Sequence, residues 1–119
     1  DPAVLKDAER IGRGTARIVR DPADAARRAD VLYTDVWTSM GQEAEGRKRQ
    51  DAFKGYRVDS ALLRLADRGA IVMHCLPAHR GDEVTAEVID GPQSVVFEQA
   101  ANRLPTEQAL IHTLIEGWD

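Results

Sequence analysis

The sequence predicts an α/β fold, a parallel doubly wound sheet with flanking helices, on three observations. Two apolar runs, residues 31–37 (VLYTDVW) and 70–76 (AIVMHCL), are rich in β-branched residues and too continuous for half-exposed strands, as parallel strands covered on both faces should be. Segments of helical period alternate with them, which implies right-handed βαβ units. Both runs also end in polar or reactive side chains, Asp35 in one and His74 with Cys75 in the other, at the edge where such sheets bind ligands.

Taken in order, residues 1–13 set Val4, Leu5, Ala8 and Ile11 on one helical face, with Pro2 suited to a first turn and Gly12 and Gly14 ending the period. Residues 16–19 read as a strand that stops at Asp21-Pro22, and 24–29 as a brief helix. The 31–37 run is then expected as a central strand. From Thr38 to Tyr56 the chain turns polar and glycine-punctuated, the composition of a long surface loop. A helix over 58–68, closed by Gly69, leads into the strand at 70–76, which Pro77 ends. A short helix over 84–89, a fourth strand at 94–97 (SVVF) and a last helix from Pro105 to Trp118, with Leu110, Ile111, Leu114, Ile115 and Trp118 on one face, complete the reading.

The chain has 119 residues, 43% hydrophobic and 30% charged, which fits one globular domain. A net charge of −4, with its cations scattered, gives no field suited to nucleic acid. No stretch approaches the roughly 20 apolar residues of a membrane span, and the first residues carry no secretory pattern, so a cytoplasmic protein is expected. One cysteine, Cys75, excludes a disulfide framework. The missing initiator Met fits a piece of a longer protein.

Asp35, inside an apolar run, requires a partner such as an ammonium group, a backbone N–H or a protonated neighbour; a bound amine and an internal cap or ion pair both satisfy that. Ser39-Met40-Gly41 offers a hydroxyl and consecutive backbone donors suited to a carboxylate. In residues 74–81 (HCLPAHRG) a thiol, two imidazoles and a guanidinium follow a strand, and positive charge there would favour thiolate. Pro77 keeps Leu76 out of helical geometry, leaving the Cys75 and Leu76 carbonyls to face the crevice. A metal held by Cys75, His74 and His79 lacks the usual ligand spacing, and a Cys75 nucleophile with His74 as base conflicts with strand alternation. A packed cysteine beside a satisfied histidine is the bland alternative. Arg103, just before the last helix, can fork onto an oxygen at the sheet edge or lie on the surface.

Taken together, residues 35–43 (DVWTSMGQE), 74–81 and Asn102-Arg103-Leu104 resemble the ornithine carbamoyltransferases in type and order, and the Asp-x-x-x-Ser-Met-Gly arrangement resembles their ornithine branch. The resemblance implies the C-terminal, ornithine-binding part of a two-domain enzyme with a Rossmann-like sheet. Residues 1–104 would be that domain, and 105–119 a helix that crosses to an N-terminal carbamoyl-phosphate domain. It implies transfer of a carbamoyl group from carbamoyl phosphate to L-ornithine, giving L-citrulline for arginine biosynthesis, without metal or organic cofactor, in a homotrimer. By carry-over, Asp35 and Ser39 hold the α-amino end of ornithine, the Met40 backbone its carboxylate, and Cys75 lies beside the δ-amine. The carbonyls of Cys75 and Leu76 orient the carbamoyl NH₂ and Arg103 its oxygen, which makes Cys75 and Arg103 the catalytic pair. Independently of the resemblance, the glycines and charges of residues 39–56 predict a lid that closes over the site and excludes water. The family's Ser-x-Arg-Thr and His-Pro-x-Gln phosphate-binding segments have no counterpart here, so a non-catalytic amino-acid-binding or interaction module is the alternative.

Overall fold

A computed structural model describes residues 1–12, 14–38 and 46–117. The element order is α1 (Pro2–Ile11), α2 (Pro22–Ala26), β1 (Val31–Thr34), α3 (Gly46–Ala52), α4 (Ser60–Leu63), β2 (Ile71–His74), α5 (Ala86–Ile89), α6 (Val96–Ala101) and α7 (Arg103–Glu116). Three starts are written in the sequence as Asp caps, whose side-chain oxygens satisfy the free amides of a first turn. Asp1 accepts from the Ala3 N–H at 2.8 Å, Asp21 from Ala23 and Asp24, and Asp59 from Leu62 at 2.9 Å. In α1 and α2 a proline follows the cap, where its missing N–H removes no helical bond.

β1 and β2 pair in parallel with Val31 opposite Ile71 and Thr34 opposite His74. Val72 also bridges Ser94, through bonds from the Val72 N–H to the Gln93 carbonyl at 2.8 Å and from the Val95 N–H to the Val72 carbonyl at 3.0 Å. The expected fold class stands, a parallel sheet with flanking helices. Its core is Val58, Val72, Val84, Val88, Ile89 and Val96, with Leu32, Leu62 and Leu63 packed against it.

Several expected elements differ. Among the described residues only two of the four expected strands form, and each is shorter than its apolar run. Residues 16–19 join no ladder, and Ile18 is 75% exposed; strand propensity without a paired backbone leaves their hydrogen bonds to water. The fourth run makes one bridge at Ser94 and then turns helical at Val96, which buries its side chain in the core. β2, flanked by β1 and Ser94, is the central strand; β1 lies at the edge, with Tyr33 56% exposed. The helix expected over 58–68 is regular only over Ser60–Leu63. The last helix begins at Arg103, two residues earlier than expected, with Pro105 inside its first turn. Trp118 lies outside the described residues.

α7 packs against α6 and leaves Leu110, Ile111, Leu114 and Ile115 exposed, Leu114 to 76%. Each such side chain gains roughly 1.5–3 kcal/mol when buried, so this stripe favours association. Truncation before Arg103 is expected to lower the sedimentation-average mass of the chain at moderate concentration. An unchanged mass would mean that the stripe drives no association.

Candidate active site at the carboxyl edge of the sheet

The site follows from the register. Because Thr34 and His74 are partners, the next residues, Asp35 and Cys75, leave their strands side by side. The Cys75 thiol donates to Asp35 Oδ1 at 3.0 Å, and the Val36 N–H donates to the same oxygen at 2.7 Å. These two bonds, the thiol's first, hold the Asp35 carboxyl below its ordinary value, and burial opposes them. The same contact pushes Cys75 the other way. Its bond to the carboxylate, then burial, then the charge of Asp35 raise the thiol. The expectation of a thiolate favoured by positive charge is thereby overturned, since the nearest charge is negative.

The cations of the 74–81 segment are engaged elsewhere. Arg80 forks onto Asp90 through Nε at 2.9 Å and a terminal nitrogen at 2.6 Å. His74 is buried, and its Nδ1 accepts from the Leu76 N–H at 2.8 Å while Nε2 meets Glu83 Oε1 at 3.2 Å. An Nδ1 that accepts puts the ring proton on Nε2, facing Glu83. Glu83, equally buried, also accepts from the His79 N–H at 2.6 Å, and its second oxygen lies 3.9 Å from His79 Nδ1. Gly81, at φ 99°, supplies the turn that folds Glu83 back beneath His74. Leu76 takes a left-handed φ of 57° before a cis bond to Pro77, so it leaves the right-handed helix but not for the extended backbone that a following proline favours.

Asp35, His74 and Cys75 present ligand atoms within 4.8 Å of one another. The imidazole is thus nearer the thiol than strand alternation implied. It is disabled as a metal ligand or base by its bonds, because both ring nitrogens face protein partners. His79, the third candidate ligand, turns toward Glu83.

Beside Asp35 an apolar groove of about 560 Å³ runs along β1, with Tyr33, Trp37, Phe53 and Tyr56 among its walls. Trp37 stacks on Phe53 at 6.0 Å between centroids, and the Tyr56 hydroxyl donates to the Arg20 carbonyl at 2.8 Å. Arg103 is not brought against Cys75: its guanidinium lies 3.5 Å from Glu107 Oε1, over a separate hollow of about 350 Å³ that Met73 and Gln99 help to line. Ser39 and Met40, with residues 41–45 of the expected lid, lie outside the described residues. Three contributors were not foreseen: Glu83, Tyr33 and Gln99. Tyr33 could have been found, since it shares a sheet face with Asp35 two residues on; an acid after a turn and a glutamine in a helix carry no such signal.

Residues 1–114 match the Asp/Orn binding domain of the aspartate/ornithine carbamoyltransferases. The chain belongs to that family. The ornithine carbamoyltransferase of Acidothermus cellulolyticus is 58% identical over 119 residues, 98% of this chain and 38% of that protein. That of Methanoculleus marisnigri is 55% identical over 113 residues, 95% of this chain and 37% of its own. The ornithine carbamoyltransferase structure from Pyrococcus furiosus superposes with a TM-score of 0.89 at 45% identity, covering 100% of this chain and 39% of that one. The chain therefore spans little more than a third of the length of these carbamoyltransferases.

The shifts fix the pH range of the thiol–carboxylate contact. Asp35 is lowered, so its contribution to stability is present above 3.8 and lost as pH falls through the lower folded value. Cys75 is raised, so its contribution is present below 9.0 and lost as pH rises through the higher folded value. Asp35→Asn removes the anion, and alkylation of Cys75 by iodoacetamide at pH 8 should accelerate; an unchanged rate would mean that the carboxylate does not govern the thiol. Glu83→Ala should cost about 1–3 kcal/mol in urea unfolding, because the His74 ring N–H and the His79 amide lose their buried acceptor. Glu83→Gln, which keeps an acceptor oxygen, should lose less.

Proposed function

We propose that the chain is the ornithine-binding part of a carbamoyltransferase that converts carbamoyl phosphate and L-ornithine to L-citrulline and phosphate, in arginine biosynthesis. The observation that carries this reading is the contact between the Cys75 thiol and the Asp35 carboxylate at the strand edge, beside an apolar groove, within the matched Asp/Orn binding domain. Asp35 accepts two hydrogen bonds and carries one negative charge, which suits an ammonium group. The groove next to it suits a short aliphatic stem.

In this reading Asp35 and Ser39 hold the α-amino end of ornithine, and the Met40 N–H its carboxylate. Cys75, a protonated thiol, accepts an N–H from the δ-amine with its sulfur and so positions the nitrogen without bonding to it. The neutral nitrogen's lone pair attacks the carbamoyl carbon, the bond from that carbon to the phosphate oxygen breaks with its electron pair, and the amine proton passes to the departing phosphate. The Cys75 and Leu76 carbonyls orient the carbamoyl NH₂, and Arg103, released from Glu107, takes its oxygen. Such a site works by positioning and charge complementarity, with no covalent step on the protein.

The domain arrangement belongs to the same proposal: residues 1–104 as the ornithine domain, 105–119 as a helix crossing to an N-terminal domain that anchors carbamoyl phosphate, and a cytoplasmic homotrimer. Among the described residues no helix is long and apolar enough to cross a membrane.

A complete subunit containing this chain is expected to make citrulline, and the chain alone to make none, because transition-state binding requires both substrates held together. Near-enzymatic citrulline formation by the chain alone, or none by the complete subunit, would contradict the assignment. Cys75→Ala in that subunit should lower kcat/KM for ornithine about 10-fold, the size of one hydrogen bond, and leave measurable turnover. Abolished turnover with a carbamoylated Cys75 in mass spectra of the unsubstituted enzyme would indicate a covalent route.

A further inference from the structure

We propose that Glu83 is a positioning residue of this site: it holds His74 in the tautomer whose Nδ1 accepts, and that nitrogen, by taking the Leu76 N–H, sets the direction of the Cys75 carbonyl. The hydrogen bonds stand on geometry; their consequence for turnover rests on the carbamoyl-transfer reading above.

The connection begins in the core. Val84 is fully buried and bridges both Val58 and Arg80, and the Val58 N–H donates to the Glu83 carbonyl at 2.9 Å. The backbone of Glu83 is thereby fixed, and its side chain is 1% exposed. A carboxylate buried without donors would be costly. Oε1 collects two, the ring of His74 at 3.2 Å and the His79 amide at 2.6 Å, while Oε2 accepts no hydrogen bond among the described residues.

The ring of His74 passes this constraint on. The Leu76 N–H can only donate, and it donates to Nδ1 at 2.8 Å. In the other tautomer an Nδ1–H would face that N–H, and a bare Nε2 would face the carboxylate. Two repulsions would replace two bonds, so Glu83 and the Leu76 amide select the same ring state from opposite sides. The backbone of His74 is held as well, by donation to Gln99 Oε1 at 3.0 Å.

The last step is made by the peptide plane. The Cys75–Leu76 bond is trans, and in a trans peptide the N–H and the preceding C=O point in opposite directions. With the Leu76 N–H drawn toward the ring, the Cys75 carbonyl points away from it, as an acceptor for an N–H donor such as a carbamoyl NH₂. The His79 amide, on the same Glu83 oxygen, closes the far end of the turn, so both ends of Leu76-Pro77-Ala78 depend on one atom.

Two substitutions separate the links. His74→Asn puts a carbonyl oxygen close to the place of Nδ1 and nothing at Nε2; His74→Gln puts an N–H close to the place of Nε2 and no acceptor at Nδ1. In the complete subunit, hydrogen exchange of the Leu76 amide should quicken at least about 10-fold in His74→Gln and less than about 3-fold in His74→Asn, because only the first loses the acceptor. KM for carbamoyl phosphate should follow the same order, rising about 10-fold in His74→Gln and less than about 3-fold in His74→Asn. Glu83→Gln keeps an acceptor oxygen and should stay within about 3-fold of the parent on both readouts, whereas Glu83→Leu should resemble His74→Gln. In the His74→Asn background Glu83→Leu should add markedly less to KM, because an amide has no tautomer to hold. A purely structural role predicts the opposite order of the His74 variants, since His74→Gln is the one that keeps the buried bond to Glu83. Equal losses in the two His74 variants, a larger loss in His74→Asn, or a Glu83→Gln variant as impaired as His74→Gln would overturn the proposal. A complete subunit that makes no citrulline would defeat the transferase reading instead, while exchange at Leu76 still decides the role of Glu83.

Discussion

The pairing of Thr34 with His74 is the constraint from which the rest of the site follows. Two parallel strands that end in step deliver their next residues to adjacent points, and only that coincidence brings a carboxylate and a thiol 40 positions apart to 3.0 Å. The flanking structure maintains the coincidence. Val72 buries the middle of β2 and bridges Ser94 on its other side, which ties the strand to α6. Gln99 from α6 then reaches back across both strand ends. A helix that packs on a sheet is ordinary; here it also carries the donor and acceptor that orient what the sheet presents.

The 74–81 segment illustrates how a reactive composition becomes a quiet environment. It holds a thiol, two imidazoles and a guanidinium, and from the sequence they read as mutually activating. Folding gives the cations other partners: Arg80 takes Asp90, and Glu83 serves both His74 and the His79 amide. What remains beside Cys75 is Asp35, an anion, which disfavours thiolate. A protonated thiol suits a role in holding an amine better than one in attacking a carbonyl carbon.

Legibility from the sequence divides along the same line. The parallel sheet, the strand cores at 31–34 and 71–74 and the convergence of Asp35 with Cys75 were readable, because apolar runs bounded by turns and the carboxyl-edge rule are local signals. The strands at 16–19 and 94–97 were not, since β-propensity needs a neighbouring backbone, and Val96 is better buried as the first residue of a helix. The sign of the thiol's shift was misread because partner choice among Asp35, Glu83 and Asp90 is set by tertiary distance. Arg103 was expected just before the final helix; it is instead the first residue of that helix, paired with Glu107 one turn along it.

Asp35 has a second consequence, for folding fidelity. The two faces of β1 differ little in apolar character: Val31 and Tyr33 on one side, Leu32 and Thr34 on the other. A one-residue slip exchanges those faces, and hydrophobic patterning alone would scarcely oppose it. The slip would, however, turn Asp35 toward the side of Val72 and His74, where a carboxylate would have to shed its water without the thiol that now donates to it. The charged residue at the strand end thus discriminates against the misaligned sheet, and the same atoms that would meet a substrate's ammonium group also keep the chain in frame.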